Sequence, residues 1–226
     1  MLQLYAAAGA AEEVLGLVRL VEQQTPAEAR AAAPREDLVE APLGLLALAR
    51  RDEGAVGATS NPVITLQSVK NHPDLWNPVI DKMIIEHPNC SEDEILWMLI
   101  DKVGKKAAEI LMPVYERTEG QKGKLSLQVN PKYYRNAEAM FEQGKYLASL
   151  APNIAIKCPA LPAGIEAMEK LTSIGISINA TVSFTVPQAL EVADAIERGL
   201  ITANNNGVDT STVTPYVTCL LYTSDA

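Results

Sequence analysis

Lys157 stands at the end of an apolar run in the stretch NIAIKCPALPAG, residues 153 to 164, where an amine is out of keeping with its neighbours. An amine attacks a carbonyl only when it is neutral. An apolar strand favours that form, because desolvation penalises the ammonium and lowers the pKa. Lys157 therefore suggests covalent catalysis through a Schiff base on a carbonyl substrate. The other reading is a lysine whose stem lies along the strand while its head reaches solvent or a carboxylate. Gln128 and Thr181 can hold a water by hydrogen bonds and move protons to and from a carbinolamine. They can equally cap backbone groups at strand ends. Asn61 can bind substrate hydroxyls, although SNP is also a turn that stops a strand.

These residues need elements to bring them together. The spacing predicts strands in AVGATS (55 to 60), KLSLQV (124 to 129), NIAIKC (153 to 158), ISINATVSF (176 to 184) and TVTPYVT (212 to 218). Between the first two lies a long helical region, with a capping box formed by Ser91 and Glu94 and a kink or stop at Pro113. A helix over 136 to 150 turns Met140, Phe141, Leu147 and Leu150 inward. The next carries Ile165, Met168 and Leu171 on one face and stops at Gly175. The last begins around Pro187 and ends at Gly199. Before residue 53 the chain is rich in Ala, Leu and Glu and reads as weak helices separated by Pro34 and Pro42.

Strands alternating with helices over short loops are parallel βαβ units, hence a barrel or a doubly wound sheet. No glycine-rich phosphate motif supports nucleotide binding on an open sheet. Thr59, Asn61, Gln128, Lys157, Thr181 and Thr214 are expected at the carboxyl ends of successive strands, the rim where barrel sites are built. The fold class read from the sequence is α/β, a (β/α)8 TIM-type barrel. It is incomplete, with about five recognisable strands where a full barrel takes about 250 residues and eight.

The whole composition narrows the function. The chain has 226 residues, 48% of them hydrophobic and 21% charged, enough to bury one sizeable core. A net charge of −9 argues against sequence-independent nucleic-acid binding, which needs clustered Lys and Arg. Cys90, Cys158 and Cys219 have no CxxC spacing and suggest neither a disulfide framework nor a zinc site. His72 and His87 precede prolines in loops, without further ligands for a metal. The start of the chain lacks a basic leader, and no stretch reaches the roughly 18 apolar residues of a membrane span, so a cytoplasmic protein is expected.

In GAVGATSNPVI, LSLQVNPKYYRNAEAM, APNIAIKCPALPAGIEAME, GISINATVSFTVPQALEVADAIERGL and VTPYVT, taken in that order, the chain resembles transaldolase, a family of class I aldolase-type barrels. The likeness covers residues 54 to 218. It implies that Lys157 forms the Schiff base with a ketose donor, that Gln128 and Thr181 orient the catalytic water, and that Thr59, Asn61 and Thr214 line the sugar site. It further implies transfer of a dihydroxyacetone unit from a ketose phosphate, such as sedoheptulose 7-phosphate or fructose 6-phosphate, to an aldose phosphate in the pentose phosphate pathway. No metal or organic cofactor is implied, since the protonated imine is the electron sink.

Two departures accompany the likeness. Relatives carry a proton-transferring aspartate at the end of the first barrel strand, and nothing of that kind precedes GAVGATSNP. Glu40 lies in VEAPLGLL, which does not read as that strand, and Asp52 and Glu53 enter the second strand at its amino end. After TPYVT the family continues to a phosphate-binding arginine, whereas here the chain gives CLLYTSDA. Residues 1–53 are thus read as an atypical helical segment from a frame disruption, 54–218 as a partial barrel and 219–226 as a non-native tail. The rival readings are an inactive fragment of this family and a fructose 6-phosphate aldolase-like class I aldolase.

Overall fold

Alternation along the strands decides which way the sheet faces. In KLSLQ, Leu125 and Leu127 are buried on one side, while Lys124, Ser126 and Gln128 share the other. The same split recurs in IAIKCP, where Ile154, Ile156 and Cys158 oppose Ala155, Lys157 and Pro159. The computed structural model describes residues 56–219 and the backbone of residues 4–6. In it these strands form one six-stranded sheet.

In chain order the strands are β1 (Leu4–Ala6), β2 (Gly57–Thr59), β3 (Lys124–Gln128), β4 (Ile154–Pro159), β5 (Ile178–Ser183) and β6 (Tyr216–Cys219). Their order across the sheet is β1-β6-β5-β4-β3-β2. Strands β2 to β6 run parallel, and β1 lies antiparallel on β6. The helices are α1 (Pro62–Asn71), α2 (Pro73–Glu86), α3 (Glu92–Arg117), α4 (Ala137–Ala148), α5 (Pro162–Ser173) and α6 (Val186–Asn205). The described residues thus make an α/β sheet of five successive parallel strands, part of a TIM-type barrel. The helical reading of residues 1–53 falls outside the described residues except at Leu4–Ala6, which is strand. Cys219, assigned above to the tail, ends β6.

Side-chain caps start several of the helices, including the Ser91 box that the sequence predicts. Ser91 accepts from the Glu94 amide at 3.3 Å, and Glu94 accepts from the Ser91 amide at 2.7 Å, closing the capping box of α3. Asn61, with Pro62 behind it, caps α1 by accepting from the Ile64 amide at 2.8 Å. Asn136 does the same for α4. His72 and His87 stand at the carboxyl ends of α1 and α2.

The core lies between the helices and the apolar side of the sheet. Leu125, Leu127, Ile156 and Ile178 meet Leu111, Met140, Leu147, Met168, Leu171 and Ile196, all at 2% exposure or less. Burying side chains of this kind stabilises the fold by about 1.5–3 kcal/mol each before entropy is counted. Met140, Leu147, Met168 and Leu171 are the inward residues that the helical spacing predicts. A smaller cluster of Trp76, Leu99 and Val103 joins α2 to α3.

Two expectations change, and the kink-or-stop reading of Pro113 loses the stop. Pro113 does not end its helix, which continues to Arg117. The TVTPYVT strand is shorter, and Thr212 and Thr214 lie in the loop before β6. Gly199 lies inside α6, which runs on to Asn205. A Cβ at Gly199 would meet the Glu169 carbonyl oxygen at 2.7 Å and Thr172 Cβ at 2.8 Å. The glycine lets α6 cross α5 closely, and a contact of that kind has the same local signature as a helix stop.

Candidate active site

The register of the sheet sets the polar residues in rows. Gln128 is the Cα partner of Lys157, Lys157 of Asn179, and Asn179 of Tyr216, so one row crosses four strands on the face away from the helices. Thr181 pairs with Pro159, two residues further toward the carboxyl ends. The structure therefore gathers Gln128, Lys157 and Thr181 on one face at the carboxyl-terminal end of the sheet.

Lys157 is half-buried, and its Nζ donates to Thr59 Oγ1 at a long 3.5 Å. Burial among these strands lowers its pKa from the ordinary lysine value, the direction that raises the fraction of neutral amine. It makes no ion pair among the described residues. The side chain of Gln128 has no hydrogen-bond partner among those residues either. Its amide and the Lys157 amine are both left with bonding capacity for something that enters the site.

Asn179 was not singled out by the sequence reading. It is 2% exposed, its Nδ2 donates to Ser126 Oγ at 3.0 Å, and its Oδ1 accepts from Thr218 Oγ1 at 2.9 Å. These bonds link β3, β5 and β6 on the face that carries Lys157. The available signal was the alternation Asn-Ala-Thr, which puts Asn179 on the same face as Thr181.

The carboxyl end of β5 is irregular. Val182 has φ 59°, in the left-handed region that a β-branched residue rarely enters, and the pairing with β6 shifts register between Ala180 and Ser183. Strain of this sort persists only where the surroundings over-determine it, and it gathers at functional sites.

The expected substrate-binding residues divide. Thr59 reaches Lys157, whereas Asn61 uses its Oδ1 to cap α1 and keeps only its Nδ2 for other partners. Thr214 stands apart. It precedes β6, at the amino-terminal end, and its Oγ1 accepts from Lys124 Nζ at 2.8 Å. Lys124 also donates to the Gly120 carbonyl at 2.8 Å and to the Thr212 carbonyl. It is 4% exposed, and burial lowers its pKa to about 8. The expected placing of Thr214 on the carboxyl-terminal rim is corrected by these contacts, because the chain straightens into strand only at Tyr216.

Cys158 is adjacent to Lys157 yet points the other way, into the helix-covered core, where full burial pushes its thiol pKa up to about 12. Among the described residues no three His, Cys, Asp or Glu converge as a metal site. No helix among them is long and apolar enough to cross a membrane.

Comparison with known proteins matches the sequence to a family. Residues 42–222 fit the model of the family described as transaldolase/fructose-6-phosphate aldolase. Transaldolase 2 of Streptomyces avermitilis is 34% identical over 160 residues, 70% of this chain and 42% of its own length. The transaldolase of Thiobacillus denitrificans is 31% identical over 168 residues, 74% of this chain and 46% of its own length. That of Thermobifida fusca is 32% identical over 172 residues, 75% and 46%. The chain spans less than half the length of these curated relatives. On the match across residues 42–222, the chain belongs to the transaldolase/fructose-6-phosphate aldolase family.

Proposed function

We propose that this chain carries the Schiff-base site of a transaldolase, a transferase that moves a dihydroxyacetone unit from a ketose phosphate to an aldose phosphate. The observation that carries the reading is Lys157: a half-buried amine of lowered pKa, without a carboxylate partner among the described residues, beside Gln128 at the carboxyl ends of parallel strands. Neutral Lys157 adds through Nζ to the C2 carbonyl of fructose 6-phosphate or sedoheptulose 7-phosphate, giving a carbinolamine. Gln128 and Thr181 hold the water that carries protons as the carbinolamine hydroxyl leaves, and a protonated imine remains. The C4 hydroxyl then passes its proton to that water, C3–C4 breaks, and the aldose is released. The electron pair of that bond rests in the imine as an enamine, which adds to the aldehyde of the acceptor. Hydrolysis frees Lys157 and the new ketose. Thr59 and the Nδ2 of Asn61 face the sugar hydroxyls. Sugar phosphates, the pentose phosphate pathway and a cytoplasmic setting follow from this reading.

Borohydride trapping with fructose 6-phosphate, followed by peptide mapping, tests it. The expected result is a reduced adduct on Lys157 alone, and its absence overturns the reading. Supplying glyceraldehyde 3-phosphate separates the rival activities: transfer to the acceptor supports transaldolase, and release of free dihydroxyacetone supports the aldolase. An adduct without either product is the outcome expected of the inactive fragment.

A further inference from the structure

Gln188 sits in the first turn of α6, and both ends of its side chain are occupied. Its Oε1 accepts from the Phe184 amide at 2.9 Å and from the Thr185 hydroxyl at 3.2 Å. Its Nε2 donates to the Ala160 carbonyl at 3.0 Å and to the Val182 carbonyl at 3.4 Å. Ala160, which follows β4 directly, donates its own amide to the Thr181 carbonyl at 2.7 Å. One side chain thus binds the loop after the Lys157 strand to the turn after the Thr181 strand.

What it holds is the strained part of the sheet. A non-glycine residue in a sparsely populated backbone region is strained, and Val182, at φ 59°, follows Thr181 immediately. Without support the turn relaxes toward an extended backbone. The next residues then rotate, and a register irregularity of this kind is what aims a neighbouring side chain. Thr185 already caps α6 through its Oγ1, accepting from the Gln188 amide at 3.3 Å. The long-range bonds of Gln188 are therefore additional to the start of the helix.

We propose that Gln188 is a positioning residue: its four hydrogen bonds keep Val182 left-handed and so fix the Thr181 side chain on the face that carries Lys157. The proposal rests on the reading of Lys157 as the imine-forming amine. Gln188 touches no reacting atom. It acts on the proton transfers of imine formation through Thr181.

The test uses the full chain and the variants Gln188→Leu and Gln188→Glu. The leucine removes all four bonds, while the glutamate keeps those accepted from Phe184 and Thr185. Trapping on Lys157 is followed over a range of fructose 6-phosphate concentrations, and hydrogen exchange is followed at the Phe184 amide. In Q188L the maximal trapping rate falls by on the order of 10- to 100-fold at an unchanged half-saturating concentration. In Q188E it falls less. Phe184 exchanges faster only in Q188L. Adding Val182→Gly to Q188L, where a positive φ carries no steric penalty, restores part of the rate. A lowered melting temperature with trapping per folded molecule unchanged overturns the proposal, as does unchanged exchange at Phe184. If the parent chain forms no adduct, the reading of Lys157 falls, and the exchange measurement alone decides whether Gln188 holds the turn.

Discussion

Two lysines lie on the same face of neighbouring strands, Lys124 at the amino end of β3 and Lys157 toward the carboxyl end of β4. Burial lowers the pKa of both. They differ in what surrounds the amine. Lys124 donates to two carbonyls and a hydroxyl, which matches the three protons of an ammonium, and it fastens the turn at Gly120 to the loop before β6. Lys157 has one long contact, to Thr59. A lowered pKa therefore does not single out a nucleophile. The free bonding capacity of the amine does, together with its end of the sheet, since barrel chemistry belongs to the carboxyl-terminal face.

The largest effect should come from removing the amine with capacity to spare. Lys157→Met is expected to abolish borohydride trapping with fructose 6-phosphate, while Lys124→Met keeps it. Trapping that survives in K157M and fails in K124M would reverse the assignment. Next in size is damage to the backbone that carries Lys157. A Cβ at Gly164 would lie 2.0 Å from the Pro159 carbonyl oxygen, so Gly164→Ala must push α5 away from the end of β4. It should cost on the order of 2–4 kcal/mol of stability, read by denaturant unfolding. A loss below about 0.5 kcal/mol, the range of ordinary surface substitutions, would show that the strand end yields easily.

The smallest effect concerns the other lysine and pH. With a folded pKa of about 8 against an ordinary 10.5, Lys124 binds fewer protons folded than unfolded between those values. Stability should therefore rise as pH increases through that window, by at most about 3 kcal/mol from this group. Below pH 8 the amine is charged in both states and the cost of burying it is present in full. K124M should flatten the rise, leaving the share of Lys157, whose pKa is lowered in the same direction, set against the buried Cys158 thiol, whose raised pKa acts the opposite way above its ordinary value of 9. An equally steep rise in K124M would remove Lys124 as its source.

The sequence carries the strands and their faces because alternation and caps are local. The inward row of Met168 and Leu171 and the Ser91 box both follow from spacing within a few residues. The placing of Lys157, Gln128 and Thr181 toward the carboxyl ends of their strands was legible for the same reason. Thr214 was misplaced because its partner, Lys124, is ninety residues away, and no local pattern reports that contact. Lys124 itself resembles an ordinary charged residue leading into a strand. Gly199 was read as a stop because the carbonyl it accommodates belongs to another helix. The Val182 turn has no glycine to announce it, since Gln188 supplies by hydrogen bonds what composition would otherwise reveal.

Cys158 and Lys157 are consecutive in the chain and occupy different worlds. A reagent in solution meets the amine directly, but it reaches the thiol only when the helical layer lifts from the sheet, and a thiol with a pKa near 12 is inert until then. The pair is a built-in clock and counter: amine chemistry counts occupied sites, and thiol alkylation times how often the protein opens.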